Sequence, residues 1–314
     1  MILAAAFGIF LCGPRHAYPD AREEVHKIII PEAGKPVEID NINGSVTVSA
    51  WDRDVIDVLA VKKTRKNKDE LDRVSIVIDN TDVLKIRTDI DSRNRHERTF
   101  LEKLLEMNWS MEPRVTVEYT VNIPQSCILG KAKTTNGAVT ISGTTGDTIA
   151  ETTNGAVRIE KAQGRILAKS TNGSISAFDI TGQIDAVTTN GKINCENISG
   201  IINAHTTNGA IDIQDSHSIR KVHTTNSSID IKLTGFLDCD MDVKTTNGSI
   251  TLQTPREMNV YLDMSTTNGS IEAEGFTITI SQLSKNHLTG TIGTPERSVT
   301  LRTTNGSIRL KPNG

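Results

Sequence analysis

Along the middle of the chain, apolar and polar residues alternate in short runs, and the whole pattern recurs every 18 residues. The register is set by glycines at Gly146, Gly164, Gly182 and Gly200, with Ser218 next in the series. Two residues after each marker stand Thr148, Ile166, Ile184 and Ile202. Four after stand Ala150, Ala168, Ala186, Ala204 and Val222, and six after stand Thr152, Ser170, Thr188, Thr206 and Thr224. Beyond a turn, the eleventh position holds Val157, Ile175, Ile193, Ile211 and Ile229, and the thirteenth holds Ile159, Ala177, Cys195, Ile213 and Ile231. Spacing of two within a run predicts β-strands with these columns on one, inward face.

The turn between the two runs is the tetrad TTNG or a near variant. It places Asn136, Asn154, Asn172, Asn190, Asn208 and Asn226 at steps of 18, continues at Asn247 and Asn268 with steps of 21, and returns at Asn305. An early copy stands at Asn43-Gly44. Asn-Gly between alternating runs is ordinarily a hairpin signal. A hairpin meander does not explain why each column keeps its residue type at a fixed period, whereas coils stacked in register do, with equivalent residues about 4.8 Å apart. The asparagines are then expected to form a structural ladder, each amide bonding the one a coil away. The glycines are expected to supply positive φ at the bend, and the threonines a β-branched fit. Asn226-Ser227 lacks the glycine, which predicts an altered bend there.

The predicted fold is all-β: a single-stranded parallel β-solenoid, right-handed by the general rule for parallel crossovers, with 18-residue coils and one short helix in an N-terminal insertion. A left-handed acyltransferase-type helix also has coils of this length, but its apolar residues recur every sixth position rather than every second. Upstream, Val46–Val48, Val55–Val61, Val74–Ile78, Val83–Ile86 and Val115–Ile123 read as strands. Phe100, Leu101, Leu104 and Leu105 have helical spacing, predicting the amphipathic helix near 95–107. The basic run Lys62 to Lys68 reads as a solvated loop. The chain divides into a signal peptide (1–17), N-terminal β-rich coils with the insertion (18–130), regular repeats (131–275), and C-terminal coils carrying a second insertion (276–314).

Composition narrows the function. With 36% apolar and 4% aromatic residues, a core of ordinary globular design would be thin; a repeat unit has only to cover its neighbour. A net charge of -3 argues against nucleic-acid binding. The first residues, MILAAAFGIFLCG, are of signal-peptide length and far too short to span a bilayer. Export is therefore expected, with cleavage after Ala17 and no membrane span in the mature form; a cytoplasmic location stays open. Leu11 before Cys12 is bulky for a lipoprotein site. Cys127, Cys195 and Cys239 lack any CxxC, so neither a disulfide framework nor a cysteine zinc site is expected.

Asn43-Gly44-Ser45-Val46-Thr47-Val48 followed by Trp51-Asp52, the strand from Val115 to Pro124, and the serial TTNG coils carry a resemblance. From about Val37 to Leu310 the chain resembles the bacterial "putative adhesin" family of β-strand-repeat domains of unknown function. The resemblance implies a β-helical domain, often exported or envelope-associated, and brings no catalytic residues with it. The stretch near Phe100 departs from the simplest members as an insertion.

Candidate chemistry belongs to the outward columns: Ile149, Leu167, Asp185, Asn203 and Lys221; Glu151, Lys169, Val187, His205 and His223; Arg158, Ser176, Asn194, Asp212 and Asp230. None is uniformly charged or aromatic, and Phe178 is the exposed ring among them. His205 and His223, with His217 between, are the residue types of a metal site but lack an assured ligand geometry. Asp212 and Asp230, with Asp215 near, are the types of a calcium site or a glycosidase pair, though the sequence builds no cleft around them. Neither catalytic residues nor a cofactor nor a bound metal is expected. The function read from the sequence is a non-enzymatic, envelope-associated scaffold or adhesion-type surface, its partner a cell-envelope protein or a glycan. The alternative is a carbohydrate-active β-helix enzyme with an acidic site near Asp212 and Asp230.

Overall fold

The computed structural model describes residues 21–66, 68–90, 115–235 and 238–313. The signal-peptide reading of 1–17 and the helix expected near 95–107 lie outside these residues. The chain is all-β and β-solenoid-like, and its one described helix is the single turn Asp69–Asp72.

In the middle of the molecule the strands form two parallel ladders, one contributed before each Asn-Gly corner and one after it. Thr148–Asn154 lies between Leu129–Asn136 and Gln163–Lys169, pairing Ala150 with Ala132 and Ala168. On the other ladder Ile175 pairs with Ile193, and Ile193 with Ile211, each 18 residues on. Like meets like along the isoleucine and alanine columns, and the thirteenth-position column stays apolar through Ile159, Ala177, Cys195 and Ile213. All of these side chains are buried, and they join one continuous apolar cluster along the stack. Burying an isoleucine contributes about 2 kcal/mol, so a column of them holds the coils together although no unit has a core of its own. Two slips occur here: Ile202 pairs with Ile219 but Asn203 with Lys221, and on the other ladder Ile213 pairs with Ile231 but Ser216 with Leu233. The first keeps Arg220 out of the core.

Chain order and stacking order part company at both ends. The coil made by Val37–Asp40 and Val46–Trp51 lies between Leu84–Ile90 with Val115–Pro124 on one side and Leu129–Asn136 with Val139–Ser142 on the other. At the far end the last coil, Arg297–Asn305 with Ile308–Pro312, is laid between Met241–Lys244 with Ile250–Thr254 and Val260–Asn268 with Ile271–Ala273. Asn247 and Asn268, consecutive in the sequence series, are therefore separated by Asn305. The cause is the antiparallel strand His287–Ile292, which occupies the outer edge of Val260–Asn268 and leaves only the inner edge for the returning chain.

The uniformly parallel arrangement expected from the repeats fails at these ends. Ala21–Ile29 runs antiparallel to Ile56–Thr64, which runs antiparallel to Val115–Pro124; Val74–Asn80 is antiparallel to Leu84–Ile90. The basic run is also corrected. Lys62 and Lys63 lie on the strand Ile56–Thr64, and Lys62 is buried in an ion pair with Glu23 at 2.9 Å. A charge run reads as solvated by default, and nothing local reveals that Glu23 and two carbonyls wait for this ammonium.

Candidate functional site

The Asn-Gly corners build the most regular feature of the surface. Side-chain amides bond in one direction along the stack: Asn136 Nδ2 donates to Asn43 Oδ1 at 2.7 Å, Asn154 to Asn136 at 2.8 Å, and Asn172 to Asn154 at 2.9 Å. Asn190, Asn208, Asn226 and Asn247 continue it, each donating at 2.8 Å to the one before. Asn305 then donates to Asn247 at 2.7 Å and Asn268 to Asn305 at 2.8 Å. Asn226 keeps both bonds although Ser227 replaces the glycine.

The residues flanking these asparagines act otherwise than their types suggested. The corner glycines Gly137, Gly155, Gly173, Gly191 and Gly209 are absent from the positive-φ positions; the marker glycines Gly146, Gly164, Gly182 and Gly200 occupy them, at φ 90° to 149°. Close approach is what excludes a side chain at the corners. A Cβ on Gly191 would sit 2.0 Å from the Gly173 carbonyl oxygen. The first threonine of each tetrad is buried and uses its hydroxyl: Thr152 Oγ1 donates to Gly137 O at 2.8 Å, Thr188 to Gly173 O and Thr224 to Gly209 O at 2.9 Å. A third turn went unread in the sequence. Lys161, Asp179, Asn197 and Asp215 adopt φ of 49° to 55°, and the Asp/Asn content of that column was its available signal.

The outward columns stack as the inward ones do. Asp185 pairs in register with Asn203, which meets Lys221; Val187 pairs with His205, and His205 with His223. Together with Ala186 and Ala204 they line a shallow hollow of about 280 Å³. Asn203 Nδ2 donates to Asp185 Oδ1 at 2.6 Å, and the two imidazoles meet edge to face with centroids 6.5 Å apart. His223 Nε2 lies 3.1 Å from Asp242 Oδ2. Partial burial holds the His223 pKa below its ordinary value, against the opposing pull of Asp242. The hollow thus offers an exposed Val187, an ammonium, an amide bonded to a carboxylate, and two imidazoles.

Of the residues singled out for chemistry, His205 and His223 are neighbours and Asp212 pairs in register with Asp230, as their columns predicted, but the third member of each group turns elsewhere. His217 faces Thr234, 3.1 Å from its hydroxyl, and takes no part in the His205–His223 contact. Asp212 is engaged by Lys192 at 3.0 Å and by Gln214 at 2.6 Å, while Asp215 pairs with Lys232 at 2.9 Å. Among the described residues no group of three or more His, Cys, Asp or Glu side chains has metal-holding geometry. Arg158 stacks on Phe178, its guanidinium 4.5 Å from the ring centroid, so this aromatic is not presented free. Cys195 lies fully inside the stack, where burial pushes its thiol up to about 12. Among the described residues no helix is long and apolar enough to cross a membrane.

Residues 35–311 match the family model described as Toastrack DUF4097. Of proteins with curated descriptions, none matches the chain. Similar solved structures include a "putative cell adhesion protein" from Clostridium sporogenes ATCC 15579, at 12% identity over 93% of this chain and 100% of that one, with a TM-score of 0.26. A "putative adhesin" from Bacteroides fragilis NCTC 9343 is similar at 12% identity over 93% and 97% of the two chains, with a TM-score of 0.44. A "putative lipid binding protein" from Parabacteroides distasonis ATCC 8503 is similar at 12% identity over 93% and 96%, with a TM-score of 0.50. At that identity the likeness concerns the fold and nothing further.

Proposed function

The chain belongs to the Toastrack DUF4097 family, and from that premise we propose that it is a non-enzymatic, exported scaffold that presents an adhesion-type binding surface. The coil is right-handed in this reading, following the general preference of parallel crossovers. One observation carries the function: the inward columns stay small or aliphatic from coil to coil while the outward columns mix charged, polar and apolar residues, as in Leu167, Asp185, Asn203 and Lys221. A stack of that kind is a rigid support for a surface of variable chemistry. The hollow around Val187, His205 and His223 is the contact point, because it joins an exposed apolar side chain to hydrogen-bonding groups at one place. Its occupant is a glycan or an envelope protein.

The test uses the purified chain on immobilised glycans and on isolated cell-wall material. Retention is expected, reduced at least tenfold by Val187→Glu, which puts a charge on the hollow's rim without entering the core. Release of reducing ends from a polysaccharide, abolished by Asp212→Asn together with Asp230→Asn, would replace this reading with the enzymatic one. Separating periplasm, membrane and cytoplasm tests export; recovery solely from the cytoplasm would remove the envelope partners.

A further inference from the structure

The two ends of the stack are closed differently. At the N-terminal end the core stops against a plug. Leu71, from the turn Asp69–Asp72, is fully buried, and the ammonium of Lys62 beside it donates to the carbonyls of Leu71 and Val74 at 3.2 and 3.0 Å. Two strands are outermost there: Ala21–Ile29, which carries Arg22, Glu23, Glu24, His26 and Lys27, and Val74–Asn80, whose one charge is Asp79. Charges along an edge guard it against pairing with another chain.

The C-terminal end lacks both devices. Its outermost strand, Thr279–Ser284, pairs with His287–Ile292 on one edge and with no described strand on the other. All six of its residues are exposed and none is charged. Ile280 pairs with Gly290 and Leu283 with Leu288, an irregularity at Ser281 bringing both to the same side. That side is the core side, because Gly290 and Leu288 pair in turn with the buried Leu262 and Met264. The opposite ladder has already ended at Ile271–Ala273, and Phe276 and Ile278 cover only part of the opening. Ile280 and Leu283, 50% and 64% exposed, thus extend the core's apolar face past its cover. Terminal units of a repeat stack are ordinarily polar on their outer face.

We infer that a second copy of this chain completes this end, with the strand Thr279–Ser284 of each copy running antiparallel to its counterpart across a two-fold axis. Charge selects this occupant. The neutral edge matches itself: Ile280 falls opposite Leu283 of the other copy, Thr279 opposite Ser284, and Ser281 opposite Gln282. The other end of a second copy is a poorer match, since its two outer edges would set Glu24 or Lys27, or Asp79, against the apolar pair. Two-fold closure uses up both neutral edges and stops at a dimer, whereas head-to-tail joining would propagate into a filament.

Sedimentation equilibrium of the full chain, from low to high micromolar, is expected to give twice the mass of one chain. Ile280→Lys together with Leu283→Lys is expected to return it to a single chain that keeps the native far-UV spectrum and cooperative unfolding, with a midpoint that no longer depends on protein concentration, since both side chains are surface-exposed in the single chain. Ile28→Lys, on the charged edge at the other end, is expected to leave the dimer intact. In a Cys239→Ser background, Ser281→Cys is expected to form a covalent dimer on oxidation. A wild-type chain that stays single across the range, a dimer that survives the double lysine variant, or a dimer that resists the Ser281→Cys cross-link would each overturn the assignment.

Discussion

Asn190, Gly191 and Thr188 belong to one corner and hold it by three different means, so substitutions there separate the contributions. Asn190→Ala removes one ladder bond to Asn172 and one from Asn208. Both are solvent-exposed, and the expected loss is about 1–2 kcal/mol. Gly191→Ala leaves the ladder alone but drives a methyl to 2.0 Å from a backbone oxygen. Because backbone cannot step aside as a side chain does, the expected loss is on the order of 3 kcal/mol or more. Thr188→Val keeps the shape and strips the buried Gly173 carbonyl of a donor, for about 1 kcal/mol. Denaturant titration of the three variants checks the order; an Asn190→Ala loss equal to that of Gly191→Ala would place the strength of the corner in the amides. The inward position Ile193 is harsher. Fully buried between Ile175 and Ile211, it offers an aspartate no partner, and Ile193→Asp is expected to cost on the order of 4 kcal/mol or more, read as a fall in the thermal midpoint. Residue identity made the inward columns readable because burial selects for apolar character at every coil. It could not reveal the threonine hydroxyl's partner, or that the corner glycines answer to crowding rather than to φ. Those depend on how closely two coils approach, which no single coil encodes.

At the scale of the strand, a column tells more than its members. Cys195 stands where neighbouring coils place Ala177 and Ile213, and its thiol is sealed between them. Burial, with a smaller contribution from Asp212, raises its pKa to about 12. At about pH 8.5, where a free thiol is half ionised, it remains protonated and out of reach. Ellman's reagent is therefore expected to modify the half-exposed Cys239 in the folded chain and Cys195 only after denaturation, a difference that peptide mass mapping resolves. Labelling of Cys195 at the rate of Cys239 would mean the stack opens locally in this region. The candidate hollow belongs to this scale too. The column placed Val187, His205 and His223 one above another, as they stand, yet the sequence carried no sign that His217 turns away toward Thr234. His217 lies in the stretch that is one residue short between Ile202 and Ile219, a deletion that the constant corner spacing disguises.

The whole molecule is interlaced at its ends, and this has consequences that a stack built in chain order would not share. In such a stack the last coil contacts only the one before it, and its loss frays a single edge. Here the last coil has neighbours on both sides: Val299 and Leu301 lie between Met241 and Val243 on one face and Leu262 and Met264 on the other. Removing residues 294–314 therefore deletes an internal layer. The coil Val260–Ala273 and the hairpin beyond it lose their strand pairing to the stack, since among the described strands Val260–Asn268 pairs with His287–Ile292 and Arg297–Asn305 and Ile271–Ala273 with Ile308–Pro312. Restacking Asn268 directly on Asn247 would need the outer unit to shift inward by one coil, about 4.8 Å, against the connecting segment Pro255 to Asn259. Hydrogen exchange on the truncated chain is expected to show protection lost from Val260 through Ile292, a stretch still present in full, and retained from Thr148 through Leu233. Protection persisting in Val260–Ile292 would show that the outer unit folds without the returning coil. By the same reasoning, deleting Ala21–Ile29, which among the described strands pairs with Ile56–Thr64 alone, is expected to leave the stack's protection unchanged beyond that strand and the Lys62 plug. The asymmetry between these two deletions, one terminal segment woven in and the other laid on, separates an interlaced stack from a sequential one.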